Sequence, residues 1–177
     1  MNLDFNQDFF ALLAQPRRCR IDIAQLDKAY HELQSRVHPD RHAHLPDAER
    51  RLSMQWATQV NEAYRTLKHP LQRARYLLQL AGVDTEHESN TAMPAAFLVE
   101  QMEWREAVAE ARAAGDHHEL EKLMLRLQQQ AANIRAEIER EIDVAQNYTA
   151  AADALRRLMF IEKLEQEIDE ALEALES

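Results

Sequence analysis

The sequence predicts an all-α protein, with a helical unit at the N-terminus and an antiparallel three-helix bundle at the C-terminus. Turn-forming and strand-forming residues are scarce: the 177 residues include only 2 Gly and 5 Pro, and 18 Val, Ile and Thr. Apolar residues recur at helical spacing in long runs. Apolar content of 46% with 29% charged residues belongs to a globular chain rather than a disordered one.

Residues 5–13 (FNQDFFALL) form a short apolar segment that predicts one brief helix. A loop with Pro16, Arg17, Arg18 and Arg20 follows. Asp22 then has the character of an N-cap, with Gln25 three residues on and Ile21 and Leu26 placed for a hydrophobic staple. Leu26, Tyr30, Leu33 and Val37 make the stripe of the second helix, and Lys28, Glu32 and Arg36 share another face. Pro39 disfavours helix at the residue before it, so this helix must stop near His38. Pro46 suits the first turn of a third helix, with Asp47 and Glu49 at its positive end and a stripe of Trp56, Val60, Ala63, Tyr64 and Leu67. Pro70 ends it, and a further helical stretch runs from Leu71 to Leu80.

Residues 81–93 are polar and acidic without periodicity and predict a linker between a first domain, 1–80, and a second, 94–177. Pro94 restarts helix through Ala114, and Gly115 closes it. Asp116 with Glu119 makes a capping-box pattern for a helix carrying Leu120, Leu123, Leu127, Ala131, Ile134 and Ile138. Asn147 or Thr149 caps the last helix, with Leu158, Ile161, Leu164, Ile168, Leu172 and Leu175. Three long amphipathic helices joined by short turns predict the bundle.

Charge divides along the same line. Residues 1–76 carry 12 Lys and Arg against 9 Asp and Glu, whereas residues 77–177 carry 9 against 22. The split points to two modules with different partners. So acidic a second half argues against nucleic acid as the ligand. No run of 18 apolar residues exists, so no membrane helix is expected, and the N-terminus reads as neither signal nor transit peptide. The single cysteine, Cys19, excludes an intrachain disulfide and a multi-cysteine metal site, and fits a cytoplasmic protein.

His38-Pro39-Asp40 sits between two amphipathic helices, the second ending in NEAYRTLKHP (61–70). This arrangement resembles the J domain of co-chaperones for DnaK-type ATPases. Pro39 would fix a tight loop from which His38 and Asp40 project, and Asp40 could accept charge-assisted hydrogen bonds from a partner arginine. Lys28, His31, Arg36 and Arg41 would steer the unit toward an acidic ATPase surface, with Glu32 interrupting the patch.

The resemblance extends over nearly the whole chain. NEAYRTLKHPLQRARYLL (61–78), AFLVEQMEWRE (96–106) and LRRLMFIEKL (155–164) are similar to the HscB family, J-domain co-chaperones of iron–sulfur cluster assembly. The resemblance implies contact with an HscA-type ATPase through the J domain and with an IscU-type scaffold through the bundle. Eukaryotic relatives add a Cys-rich zinc module; this sequence lacks one, so a bacterial type without zinc or other cofactor is expected.

The residues of the bundle point to the same face. On the helix from Pro94, Phe97, Trp104, Val108 and Ala111 make one apolar stripe. Leu98, Val99 and Met102 make a second, displaced around the helix and continued as acid by Glu103, Glu106 and Glu110. A helix needs one stripe for its own bundle, so the surplus suits a partner with an apolar groove and a basic rim. The pattern alone leaves a second reading open, in which Leu98 and Met102 pack against the first domain or broaden the core. By resemblance to HscB these six residues match the scaffold-binding surface, and Phe160 matches a further member.

His38, His42 and His44 cluster, and His117 and His118 are adjacent, but neither group has the spacing and carboxylate or thiolate partner of a metal site. They read as structural or solvated histidines, Cys19 as inert, and no nucleotide-binding or acyl-transfer motif occurs. The sequence therefore predicts an adaptor rather than an enzyme. The alternatives are a J-domain co-chaperone with another client, or a metal-binding enzyme built on the histidine cluster.

Overall fold

The computed structural model describes residues 6–37, 46–83 and 95–176, and all regular structure among them is helical. The chain divides into two compact units, Met1–Leu80 and Ala81–Ser177.

In the first unit, α1 (Phe9–Leu12) begins later than the apolar segment suggests. Asp8 caps it, its carboxylate accepting from the Phe10 and Ala11 amides, and so excludes the preceding residues from the helix. α2 spans Ile23–Val37, and Asp22 caps it by accepting from Ala24 and Gln25 at 2.9 and 3.2 Å. α3 (Asp47–Lys68) packs antiparallel along α2. Pro46 lies one residue outside α3, at the capping position with an extended ψ of 153°, rather than in its first turn. α4 (Pro70–Leu80) starts on Pro70 itself, because an absent amide hydrogen costs nothing at a first helical position.

Phe10, Leu26, Val60, Ala63, Leu67 and Leu78 form the solvent-free centre of this unit. Tyr30 and Tyr64, expected in the apolar stripes, are only half-buried and act as braces. Their rings stack 4.0 Å apart across α2 and α3. The Tyr30 hydroxyl donates to Asn61 and the Tyr64 hydroxyl to Asp27, each at 2.9 Å. Lys68 joins Asp27 at 2.5 Å, and the Lys68 and Tyr64 hydrogen bonds hold the Asp27 carboxyl below the usual carboxylate range. At the far end of the hairpin, the buried Ser53 hydroxyl donates to the Val37 carbonyl at 2.7 Å. It satisfies one of the acceptors that the end of α2 leaves open.

The second unit contains α5 (Ala95–Ala114), α6 (His117–Arg140) and α7 (Tyr148–Glu176). Gly115 has φ +63° and closes α5 with paired bonds, its own amide to Arg112 and the Asp116 amide to Ala111. Asp116 then caps α6 through the Glu119 amide. Gly115→Ala should lower the stability of this unit by about 1–2 kcal/mol, from the left-handed backbone alone. The added methyl would meet Leu175 Cδ2 at an unstrained 3.7 Å. Urea unfolding checks this; an unchanged midpoint would contradict it.

All six residues of the expected α6 stripe, Leu120 to Ile138, are buried, as are Leu158, Ile161, Leu164 and Ile168 on α7. Leu172 is only partly buried and Leu175 is exposed, so the stripe of α7 leaves the core in its last turns. Between α6 and α7 the chain makes a π-helical turn, Glu141–Ala145, which the sequence did not predict. Gln146, at φ +53°, ends it, and Asn147 rather than Thr149 caps α7, its side chain accepting from the Ala150 amide at 3.2 Å.

Candidate functional site

On the first unit, Lys28, His31 and Arg36 are all exposed on α2. Lys28 reaches Glu32 at 3.9 Å, a loose contact between exposed groups that leaves most of its charge facing water. The buried row Leu26, Leu33 and Val37 turns these side chains outward, and the tyrosine and Asp27–Lys68 braces fix α2 against α3. His38, Pro39, Asp40 and Arg41, with His42 and His44, lie outside the described residues. Val37, the last described residue before that segment, is tied to α3 by the Ser53 hydroxyl.

On the second unit, α5 presents two faces. Phe97, Trp104, Val108 and Ala111 are buried and complete the bundle core. Leu98, Val99 and Met102 remain 47%, 55% and 71% exposed. They therefore contribute little to their own bundle, whose seam on α5 is already filled. Glu103, Glu106 and Glu110 are also exposed and continue the face along the next two turns. Glu100 stands apart from this ladder, because Gln130 of α6 donates to it at 2.5 Å.

Phe160 of α7 is partly buried, and its ring meets Phe97 edge-to-face at a centroid separation of 5.8 Å. The Arg105 guanidinium lies over the same ring, 5.6 Å from its centroid. Trp104 is covered in the same way by Arg126 of α6, at 4.7 Å. Neither arginine was singled out from the sequence. The available signal was spacing: Arg105 lies three residues from Met102 and seven from Leu98.

Among the described residues no group of His, Cys, Asp or Glu is placed to hold a metal ion. His117 and His118 both approach Glu121, at 3.6 and 3.9 Å, as exposed helix-surface pairs. Cys19 is buried. Among the described residues no helix is long and apolar enough to cross a membrane. What the two units offer is surface: a cationic helix face on one, and an apolar patch beside a carboxylate ladder on the other.

Known proteins share both units. Residues 8–76 match the DnaJ domain, and residues 93–169 match the HSCB C-terminal oligomerisation domain. A co-chaperone protein HscB homolog from Aromatoleum aromaticum is 62% identical over 177 residues, the whole of both chains. Among solved structures, chaperone HscB from Vibrio cholerae is similar with a TM-score of 0.83 and 32% identity, over 96% of this chain and 99% of that one. Human co-chaperone HscB gives a TM-score of 0.88 at 28% identity, over 96% and 84%.

Proposed function

The chain belongs to the HscB family of J-domain co-chaperones, and on that premise we propose that it couples an iron–sulfur scaffold to the ATPase chaperone that acts on it. The family works in iron–sulfur cluster assembly as partners of Hsp70-type chaperones. The finer assignment is ours. Residues 94–177 hold an IscU-type scaffold on the α5 face of Leu98, Val99, Met102, Glu103, Glu106 and Glu110, with Phe160 beside it. Residues 1–80 engage an HscA-type, DnaK-like ATPase through Lys28, His31, Arg36 and Arg41. The His38-Pro39-Asp40 motif promotes hydrolysis there, and residues 81–93 link the two.

The observation that carries this reading is the exposed apolar trio on a helix whose core seam is already filled. Clusters of large apolar side chains rimmed by charge mark protein interaction sites. Tethering scaffold and chaperone on one chain raises the concentration of each at the other. ATP hydrolysis is then the chemistry of the partner, and this chain recruits and triggers. The reading places it in the cytoplasm.

Capture of purified scaffold and of purified chaperone by the immobilised chain is the direct test of partner identity. The carboxylate ladder makes the scaffold arm quantitative. If Glu103, Glu106 and Glu110 meet a basic rim, their effect falls mainly on the association rate and is screened by salt. Reversing all three to Lys should slow scaffold association by about tenfold or more at low ionic strength. The difference should shrink near about 0.5 M salt, where the screening length is about 4 Å. Chaperone docking should not change. Stopped-flow association at two salt concentrations reads this; a rate equal to that of the parent at both would make the ladder a solvated face.

A further inference from the structure

Arg105 is a cation on a helix that also carries Glu100, Glu103, Glu106 and Glu110, yet it has no helical ion-pair partner. The positions three and four residues away are Gln101, Met102, Val108 and Ala109, none of them acidic. Among the described residues its guanidinium makes one contact of note, over the Phe160 ring at 5.6 Å. At about 100° per residue, Arg105 stands about 20° around α5 from Leu98 and about 60° from Met102, on the side toward the core stripe. It therefore occupies the seam between the exposed apolar patch of α5 and the aromatic side chain that α7 contributes.

We infer that Arg105 is a positioning residue of the scaffold site: stacked over Phe160, it holds that ring against Phe97 and joins it to the Leu98–Met102 patch. The inference rests on the scaffold-docking reading above. The physical reason is the shape of the contact. Phe97 meets Phe160 edge-to-face, at an interplanar angle of 82°. A second contact, on the face of the ring, restricts the rotation that a single edge contact leaves open. A planar guanidinium suits that place, because it is weakly hydrated and stacks on aromatic faces while its charge stays in water. A partner would then meet a pre-set ring rather than one ordered on binding, which lowers the entropy lost in docking.

A double-mutant cycle tests this in the full chain. Arg105→Met keeps the aliphatic stem and removes the charge and the planar group; Phe160→Leu removes the ring. Calorimetry against an IscU-type scaffold should give about three- to tenfold weaker binding for Arg105→Met and a larger loss for Phe160→Leu. The double variant should bind within about twofold of Phe160→Leu alone, because Arg105 acts through the ring. In NMR spectra of the free protein, the Arg105 side-chain protons should be shifted upfield by the ring and return to ordinary values in Phe160→Leu. Losses that multiply in the double variant would mean that Arg105 meets the scaffold directly, and would overturn the inference. Unchanged binding by Arg105→Met, with Leu98→Ala/Met102→Ala still impaired, would overturn it and leave the docking site standing. Unchanged binding by all of these variants would remove the docking site as well.

Discussion

Asp40→Asn should leave both units folded and abolish stimulation of an HscA-type ATPase, returning hydrolysis to its basal rate. Asparagine preserves the size and shape of the side chain but replaces a carboxylate, which only accepts, with a neutral amide that accepts at one end and donates at the other. A partner arginine that makes charge-assisted bonds to the carboxylate loses the charge and meets a group unable to accept in a two-pronged fashion. The bonds that end α2 and brace it on α3 run through Ser53, Tyr30, Tyr64 and Lys68, so the hairpin does not depend on this residue. Steady-state ATPase measurements with chaperone and scaffold present decide the matter, with circular dichroism confirming helicity. Full stimulation by the variant would remove Asp40 from the assignment.

Leu98→Ala/Met102→Ala should weaken scaffold binding by about 2–6 kcal/mol, at about 1–3 for each anchor whose apolar surface is covered on docking. The range spans losses from about thirtyfold to binding no longer detected. Stability should fall by only about 1 kcal/mol, because Met102 is 71% exposed and Leu98, at 47%, about half. Calorimetry against the purified scaffold measures the loss. Unchanged affinity in the folded variant would make the patch an ordinary piece of surface.

How much of this was legible in the sequence depended on the range of the interaction. Asp22, Asp116 and Gly115 act on amides or carbonyls a few residues away, and their caps were read correctly from spacing. The α6 stripe was equally plain, because leucines and isoleucines at helical spacing have one way to be buried together. The π-helical turn was not legible. Ile134, Ile138 and Ile142 continue an unbroken spacing of four through its start, and no glycine or proline marks the extra residue. Proline positions were read one residue off at both Pro46 and Pro70, since the missing amide is tolerated at a cap as well as in a first turn.

The surplus stripe on α5 was visible as a stripe, and whether it faced its own core was not. That depended on Phe97, Trp104, Val108 and Ala111 filling the seam without Leu98 and Met102. The contacts of Arg105 with Phe160 and of Arg126 with Trp104 join helices far apart in the sequence, and no local pattern announces them. The half-burial of Tyr30 and Tyr64 belongs to the same class, since each hydroxyl finds its partner across the hairpin.

The central claim is that one chain divides two tasks, holding the scaffold with its C-terminal unit and triggering the ATPase with its J domain. Chaperone ATPase activity measured against increasing scaffold, at fixed parent chain or fixed Leu98→Ala/Met102→Ala variant, tests that division most directly. The account predicts that both chains stimulate equally without scaffold. Added scaffold should then raise the rate further with the parent, while the variant needs a scaffold concentration higher by at least about thirtyfold, the same loss that calorimetry should register. Superimposable scaffold titrations for the two chains would contradict the account, as would a variant that fails to stimulate the ATPase even without scaffold.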